Sequence, residues 1–435
     1  MSSSSIRDLF KGQKYDVILL AFGVILMMLR SMRILYVRPF PEIFTHSIGI
    51  CCVTVYIITN YRKLEKFTLF SLTVTFLLIV IYIYDILRVN AFNIKSVIGL
   101  AGVLMGAIVI VQAPLEDKRF IYRTYNLLIQ LLVGIGVIWW ILYLCNFPLT
   151  YIVDNSDNFY QYHVYTFFNI VINPNSIEIL PRFAGPFLEP GHLGTMCIYL
   201  LYINSFNLKN IGNIALLLGI IFSLSLAAYG LLIGAVLIYL FNRRKYFSIG
   251  IMAAIFVIIG IGSQYFNNGD NPLYQIVFSR LELTENGDDI VGNNRTSVFF
   301  DLAYAKYLNS DKTMFGVGTK AFGKQSDGSD NVTMGTAGYK RYFYLRGYFG
   351  MIIICAFLLI YTLRYKSRMS IGYLIIYIIA NIIRDYPTKE IWMYLFLLCI
   401  PLLYYYGTRI NYPDEEDDMD GDRSLDYNQG NVTEQ

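Results

Sequence analysis

Apolar residues follow one another along this chain in runs of about 15–22, the length of a helix that crosses a bilayer core of about 30 Å. Residues 67–87 and 391–406 are examples. The alternation over about 10 residues that marks a transmembrane barrel is almost absent. Because lipid offers no partners to backbone polar groups, we expect the spans to be helices. The pattern predicts an all-α integral membrane protein.

Twelve transmembrane helices are predicted. They lie at 16–29, 43–60, 67–87, 96–111, 125–145, 191–206, 211–225, 228–241, 246–263, 346–363, 369–383 and 391–406. A polar N-terminal tail, 1–14, precedes the membrane domain, 15–408, and an acidic tail, 409–435, of disordered character follows it. An alternative interpretation joins the two spans beside Ala227 into one long helix, which would reverse the orientation of everything downstream.

Lysine and arginine set the predicted orientation. With the N-terminus inside, the short inner loops hold thirteen of these residues and the short outer loops hold seven, as the positive-inside rule requires. Arg30, Arg33 and Arg38 run against the rule, which indicates either a functional cluster or a misplaced first span. Both termini are then cytoplasmic, and two long loops, 146–190 and 264–345, face outward.

Composition and missing motifs narrow the chemistry. Only 15% of residues are charged, against about 25% in soluble proteins. The chain has no CxxC pair, no GxxxxGK[ST] or GxGxxG loop, and no HExxH or GxSxG. We therefore expect no metal, no cofactor and no nucleic-acid partner. Since no inner loop is large enough for a nucleotide-sugar domain, a reaction is expected outside, with a lipid pyrophosphate bringing the energy.

Two outer segments carry the candidate binding residues. PRFAGPFLEPGHLG, at 181–194, contains Arg182, and the second long loop contains Arg295 in otherwise apolar or uncharged surroundings. The planar arginine fork matches phosphate, and a cation near the bilayer is less costly when an anion pairs with it. The alternative is that each arginine pairs with a nearby carboxylate, Glu189 or Asp301.

Glu189 and His192 are the candidate catalytic residues. They stand three residues apart where a helix is predicted to begin, near Pro190. Either side chain could act as the base that activates an acceptor hydroxyl. The alternatives are helix capping for Glu189 and an interfacial polar contact for His192.

The second long loop carries further signals. Residues 296–308 predict an amphipathic helix on the membrane surface, with apolar residues at near-helical spacing, namely Val298, Leu302, Ala305 and Leu308. Gly316 and Gly318 in MFGVG predict a loop turn. Gly347 and Gly350 in RGYFG predict close backbone approach where the next helix starts.

Four segments resemble one family. PRFAGPFLEPGHLG is similar to the Arg-x-x-Gly-x-Phe-x-Glu-Pro segment of bacterial O-antigen polymerases, the Wzy family. RTSVFFDLAYAKYLNSDKTMFGVG resembles the second-loop block of that family, an arginine followed by a Phe-Gly-Val-Gly turn. SLSLAAYG lies where the wider polymerase and ligase superfamily has a Ser/Gly-rich break, and YLRGYFGMI resembles the start of the helix after the large loop. The likeness covers roughly 10–408, and the order of the segments carries it.

The resemblance implies a C-type glycosyltransferase-like membrane fold that uses no nucleotide-sugar donor. It implies transfer of a growing glycan from undecaprenyl pyrophosphate onto a new repeat unit on the same carrier, at the outer face of the bacterial inner membrane. Arg182 and Arg295 would hold the donor pyrophosphate. The implied partners are this lipid-linked oligosaccharide, membrane lipids, a chain-length regulator and a flippase.

One departure separates polymerase from ligase. Related O-antigen ligases carry a histidine shortly before the helix that follows the large loop, and here Tyr339, Lys340 and Arg341 stand there instead. This favours a polymerase and leaves the catalytic base unassigned. The three residues, with Arg384, are further candidate substrate contacts.

Two rival functions remain open. One is an O-antigen ligase or related oligosaccharide transferase. The other is a lipid-oligosaccharide flippase, which would need charges along a path within the spans. Asp85, Arg88 and Arg384 instead lie near span ends, and the missing internal repeat also weakens a transporter.

Overall fold

The computed structural model describes residues 13–30, 32, 42–62, 68–89, 94–154, 162–165, 167–174, 181–265, 298–319, 338–383 and 387–407. This part of the chain is mostly helical and contains thirteen α-helices. They are α1 Tyr15–Leu29, α2 Glu42–Asn60, α3 Leu69–Tyr84, α4 Ile94–Gln112, α5 Leu115–Leu144, α6 Pro190–Ile203, α7 Ile211–Phe222, α8 Leu226–Asn242, α9 Tyr246–Tyr265, α10 Val298–Leu308, α11 Gly338–Arg364, α12 Arg368–Ile383 and α13 Glu390–Tyr405. Asp85–Val89 continues α3 as a π-helical turn, and Asp311–Thr313 forms a 3-10 turn.

Among the described residues, three helices are long and apolar enough to cross a membrane by length and composition. They are α3 with its π-helical turn, Leu69–Val89, together with α5 and α11. Each of the twelve predicted spans falls on a helix, so the predicted helical pattern is confirmed. The number of membrane crossings stays a prediction.

The two spans beside Ala227 are separate helices. α7 ends at Phe222 and α8 begins at Leu226. Leu224, between them, has a φ of 46°, a left-handed backbone conformation that no continuous α-helix contains. The alternative of one long helix is therefore wrong.

The centre of the fold is α13. Every residue of this helix from Glu390 to Leu403 is buried. Helix contacts form a closed ring, α1–α2–α4–α3–α11–α12–α6–α7–α5 and back to α1, and α13 contacts α1, α4, α5 and α12. A helix that is apolar on all sides is expected in such a surrounded position or in contact with lipid.

A small antiparallel sheet lies in the first long loop. Its strands are β1 Ile152–Asp154, β2 Tyr162–Tyr165 and β3 Ile170–Ile172, in the order β1-β2-β3. Val153 pairs with His163, and Val164 pairs with Val171. The prediction of an all-α chain is wrong at this point. Strands of three or four residues are too short to produce a readable alternation.

Candidate functional site

The segment that contains Arg182 lies on the C-terminal end of α7. The backbone N–H of Phe183 donates to the Phe222 carbonyl at 2.9 Å. The Arg182 Nε donates to the Ser223 carbonyl at 3.4 Å, and the Arg182 side chain is half-buried. The last carbonyls of a helix carry partial negative charge. The positive charge of Arg182 is therefore attracted to this end of the helix, and the residue joins the first long loop to the end of α7.

The turn between α7 and α8 is the second component of the site. The Ser225 Oγ accepts a hydrogen bond from the Ala228 N–H at 3.4 Å and so caps α8. A Cβ at Gly194, in α6, would lie 2.4 Å from the Ala228 Cβ, so α6 and α8 approach at a distance that only glycine permits. PRFAGPFLEPGHLG and SLSLAAYG, which are separate in the sequence, thus lie side by side.

Glu189 and His192 take the positions predicted for them. α6 begins at Pro190 with Glu189 as its N-cap residue. The Glu189 side chain makes no capping hydrogen bond, so the interpretation of this residue as a side-chain cap is wrong. His192 is half-buried in the first turn of α6, and its ring lies within electrostatic range of the exposed Lys389 ammonium group. No local sequence signal marks Lys389 as a neighbour of His192.

The segment that precedes α13 connects this region to α11. The Tyr82 hydroxyl donates to the Thr388 carbonyl at 3.1 Å, and the Tyr377 hydroxyl donates to the Pro387 carbonyl at 3.5 Å. Arg346 of α11 donates through Nη2 to the Thr388 Oγ1 at 3.3 Å. The starts of α6 and α13 and the end of α3 therefore meet α11 at one end of the bundle.

A buried ion pair holds that end together. Arg346 donates through Nε to Asp85 Oδ1 at 2.8 Å and through Nη2 to Asp85 Oδ2 at 3.0 Å. The guanidinium carbon lies 4.3 Å from the centre of the Tyr342 ring. Asp85 and Arg346 are 2% and 7% exposed. From the sequence alone, Asp85 is recognised only as a charge near a span end. The predicted topology places Asp85 and Arg346 on the same side of the membrane, and this is the sequence feature that could have indicated the pair.

The MFGVG turn docks on the break in α11. Gly347 has a φ of 67° and a ψ of −169° inside that helix. The Val317 N–H donates to the Tyr344 carbonyl at 3.0 Å, and the Phe349 N–H donates to the Met314 carbonyl at 3.0 Å. The predicted turn and the predicted close backbone approach are both confirmed, and they are the two sides of one contact.

The same turn also contacts α3. The Thr319 Oγ1 donates to the Val89 carbonyl at 2.7 Å. The Tyr84 hydroxyl donates to the Arg346 carbonyl at 2.9 Å and also to the Phe315 carbonyl. This end of the second long loop is thereby fixed to both α3 and α11.

The predicted amphipathic helix in the second loop is α10. Phe300 and Tyr307 are buried against Phe343 and Tyr344 of α11. The Tyr307 hydroxyl donates to the Phe343 carbonyl at 2.9 Å, and burial raises the pKa of Tyr307, so this donor stays protonated. Three residues of the apolar face that the sequence predicted are exposed, namely Leu302 at 67%, Leu308 at 47% and Ala305. Its contact with a membrane surface stays a prediction.

Lys340 lies on the first turn of α11, beside Tyr339 and Arg341, whose side chains are exposed. The Lys340 Nζ lies 2.8 Å from Asp301 Oδ1 of α10. Asp301, suggested as a partner of Arg295, therefore pairs with Lys340. Arg295 and Arg384 lie outside the described residues, as do residues 1–12 of the predicted N-terminal tail and the whole predicted C-terminal tail, 409–435.

The site thus gathers cations and one titratable ring at the end of a helix bundle. Arg182, Lys389 and Arg341 can attract an anion, and His192 can exchange a proton at its ring nitrogens. Within the described ranges, no group of three or more His, Cys, Asp or Glu residues could hold a metal ion. Comparisons with protein-family models, curated proteins and solved structures find no match to this chain.

Proposed function

We propose that this chain is a surface-polysaccharide polymerase of the bacterial inner membrane. It transfers a growing glycan from undecaprenyl pyrophosphate onto an undecaprenyl-pyrophosphate-linked repeat unit. The observation that carries the proposal is the meeting of the four family-like segments. Arg182 contacts the α7–α8 turn, Val317 contacts Tyr344, and Thr388 with Lys389 bridges the two pairs.

The proposed topology has twelve spans, cytoplasmic termini and both long loops outside. Contacts at the opposite end of the bundle support it. There the Tyr56 hydroxyl donates to Asp117 Oδ2 at 2.6 Å, and the Arg119 guanidinium lies 4.4 Å from the Tyr406 ring centre. The segments that the positive-inside rule assigns to the cytoplasm therefore contact one another at one end of the bundle, and the segments that it assigns to the outside lie at the other end.

The proposed chemistry is a displacement at the anomeric carbon of the donor. The acceptor hydroxyl oxygen forms the new glycosidic bond, the bond from the anomeric carbon to the phosphate oxygen breaks, and undecaprenyl pyrophosphate leaves with the electron pair. Arg182, and Arg295 by resemblance, stabilise the charge that develops on the leaving group. His192 takes the proton of the acceptor hydroxyl, and Glu189 is the alternative base.

The position of the buried charges favours this function over a flippase. Asp85 belongs to the π-helical turn at the end of α3, and Arg346 stands directly before the break at Gly347. The pair is bidentate and closes one end of the bundle. A flippase needs polar groups along a path through the membrane, whereas this pair is confined to a helix end.

The test replaces Arg182 in cells whose own copy of the gene is deleted. Arg182→Ala should abolish the polymer at a near-normal protein level. The reason is that a charge-assisted hydrogen bond to phosphate contributes about 1.5–3 kcal/mol, roughly 10- to 150-fold in rate per bond. Arg182→Lys should restore a part at most, because a point charge lacks the fork. Lipid-linked single repeat units should accumulate, as measured by mass spectrometry of the extracted carrier lipid.

The matched control is Lys209→Ala, which removes an exposed cation at the opposite end of the bundle. This variant should make polymer of normal length. Polymer of normal length from Arg182→Ala would contradict the proposal. A wild-type product found on lipid A, with no polymer on the carrier, would identify a ligase instead.

A further inference from the structure

An open groove of about 400 Å³ lies beside the segment that contains Arg182. The last turn of α5 forms one wall through Tyr143, and Asn146 and Phe147 follow that turn. Tyr165 of β2 and Pro181 also line the groove. The volume falls within the range of small-molecule pockets, roughly 300–1,000 Å³.

Two rings of the groove, Tyr143 and Tyr165, belong to an aromatic cluster that extends beyond it to Tyr151 and His163. Tyr143 and Tyr165 meet edge to face with ring centres 5.5 Å apart. Tyr165 lies 5.4 Å from Tyr151, which stacks on the His163 ring at 4.2 Å. Three of these four rings lie on or next to the small sheet. The sheet therefore holds aromatic side chains in place within the first long loop.

Two rings leave about half of their surface open. Phe147 and Tyr151 are 50% and 49% exposed. Phe147 also packs on Trp139 of α5, with ring centres 6.3 Å apart. An exposed phenyl ring held in place by a second aromatic ring presents a fixed apolar face to a ligand at little cost in side-chain entropy.

The groove adjoins the segment of the proposed phosphate site. Pro181 lines the groove, and the next residue is Arg182. Trp140 of α5 contacts Phe183 and stacks on Phe222, with ring centres 6.0 and 4.9 Å apart. Leu144, one helical turn later, lines the groove. The same helix therefore supports both the arginine segment and the aromatic cluster.

We propose that this groove binds the sugar residues next to the pyrophosphate of the lipid-linked oligosaccharide, an assignment that rests on the proposed function. A pyranose has a C–H face, which packs on aromatic rings, and a rim of hydroxyls, which need hydrogen-bond partners. The lining includes aromatic residues and Asn146, and the Tyr143 hydroxyl and the Asn146 amide are the types of group that can hydrogen-bond with sugar hydroxyls. A polyprenyl chain is a hydrocarbon and cannot form hydrogen bonds with these polar groups. The sugar portion of the substrate is therefore the occupant that matches the lining.

The position explains how one substrate uses both regions. The sugar chain of the donor begins at the pyrophosphate, so a phosphate held by Arg182 places the first sugars within the adjoining groove. The groove then determines which sugar is accepted, whereas Arg182 recognises the carrier phosphate, which is common to all such substrates. Specificity and leaving-group stabilisation are thereby assigned to different residues.

The experiment uses the purified full chain in detergent and follows the tryptophan fluorescence, to which Trp139 contributes beside Phe147. The probe is the oligosaccharide that mild acid releases from the carrier lipid of polymer-producing cells. Inorganic pyrophosphate and undecaprenyl phosphate are titrated separately. The saccharide should bind saturably, Phe147→Ala should weaken its binding at least tenfold, and Phe147→Tyr should retain it. Pyrophosphate binding should not change in either Phe147 variant.

The matched control is Phe167→Ala. Phe167 is an even more exposed phenylalanine of the same loop, 71% exposed, in the turn between β2 and β3, and its removal should leave saccharide binding unchanged. Unaltered saccharide binding by Phe147→Ala would overturn the assignment, as would competition for the groove by undecaprenyl phosphate. Polymer loss in Arg182→Ala cells, seen together with either result, would show that the groove assignment fails while the proposed function stands.

Discussion

Two arginines at the same end of the bundle lie in different surroundings. Arg346 is 7% exposed and gives Asp85 two hydrogen bonds, of 2.8 and 3.0 Å. Arg182 is half-buried and donates to a neutral backbone carbonyl, that of Ser223, at 3.4 Å. The first connects α11 to α3 and to the start of α13, whereas the second joins a loop to the end of one helix.

The difference separates structural charge from charge that can serve a ligand. An anion that took Arg346 would have to break a buried ion pair and leave Asp85 charged in an apolar interior, which is costly. Arg182 is more exposed than Arg346, and the residue before it lines an open groove from which a phosphate can approach. The comparison therefore predicts opposite outcomes. Changes at Arg346 should reduce stability, and changes at Arg182 should reduce polymer formation.

The largest effect is expected from breaking the buried pair. Arg346→Ala and Asp85→Ala should each destabilise the folded protein by about 3–5 kcal/mol, because the remaining partner is left as an uncompensated buried charge. Thermal unfolding in detergent, followed by size-exclusion chromatography of the folded fraction, measures the loss.

A double variant is the control for this prediction. Asp85→Leu combined with Arg346→Met removes both charges and keeps apolar volume, so it should be less destabilised than either single variant. If the loss of the double variant equals the sum of the losses of Asp85→Leu and Arg346→Met measured singly, the residues do not act as a pair. Arg346 would then lose its structural assignment.

The next effect concerns the break that positions Arg346. Gly347→Ala should destabilise the fold, because a φ of 67° with a ψ of −169° belongs to a region that is essentially open to glycine alone. The backbone strain alone costs about 1–3 kcal/mol. A Cβ there would also lie 2.5 Å from the Gly316 nitrogen and the Thr313 carbonyl oxygen. Thermal unfolding of the purified variant measures the change.

Gly234→Ala in α8 is the matched control, since no atom lies within 4 Å of the added Cβ. It should be neutral or stabilising by up to about 1 kcal/mol through helix propensity. Equal melting temperatures for Gly347→Ala and the wild type would show that the MFGVG turn does not hold the break in α11.

The sequence predicted the parts of the fold that local patterns encode. Long apolar runs gave the positions of helices such as α3 and α13, and Gly347 predicted the close backbone approach in α11. The Asp85–Arg346 pair was missed because 261 residues separate the partners and nothing local indicates that α3 neighbours α11. Lys389 was missed beside His192 for the same reason.

The candidate site shows the same division. The positions of Glu189 and His192 at the start of α6 could be predicted, since proline at the first helical position is a local signal. The contact of Arg182 with Ser223 and the proximity of His192 to Lys389 could not be predicted, because Ser223 and Lys389 belong to segments that are distant in the sequence. The aromatic groove was also missed, since β1 to β3 are too short for a pattern and their rings come together only through strand pairing.

The smallest effect is expected at Lys340, a third cation, which tests the comparison on the helix that carries Arg346. The Lys340 and Asp301 side chains are 25% and 43% exposed, so their ion pair should contribute only about 0.2–1 kcal/mol. Lys340→Ala should therefore lower the melting temperature slightly, and less so in high salt, which screens exposed charges. The control is Lys312→Ala, which removes an exposed lysine of the neighbouring 3-10 turn and should match the wild type in stability.

Polymer length in cells then decides whether Lys340 contacts the substrate. Loss of polymer in a stable Lys340→Ala protein would place Lys340 with Arg182 as a substrate contact, and normal polymer would leave it as a surface link between α10 and α11. A loss of stability as large as that of Arg346→Ala would contradict the rule that exposure separates the two kinds of cation.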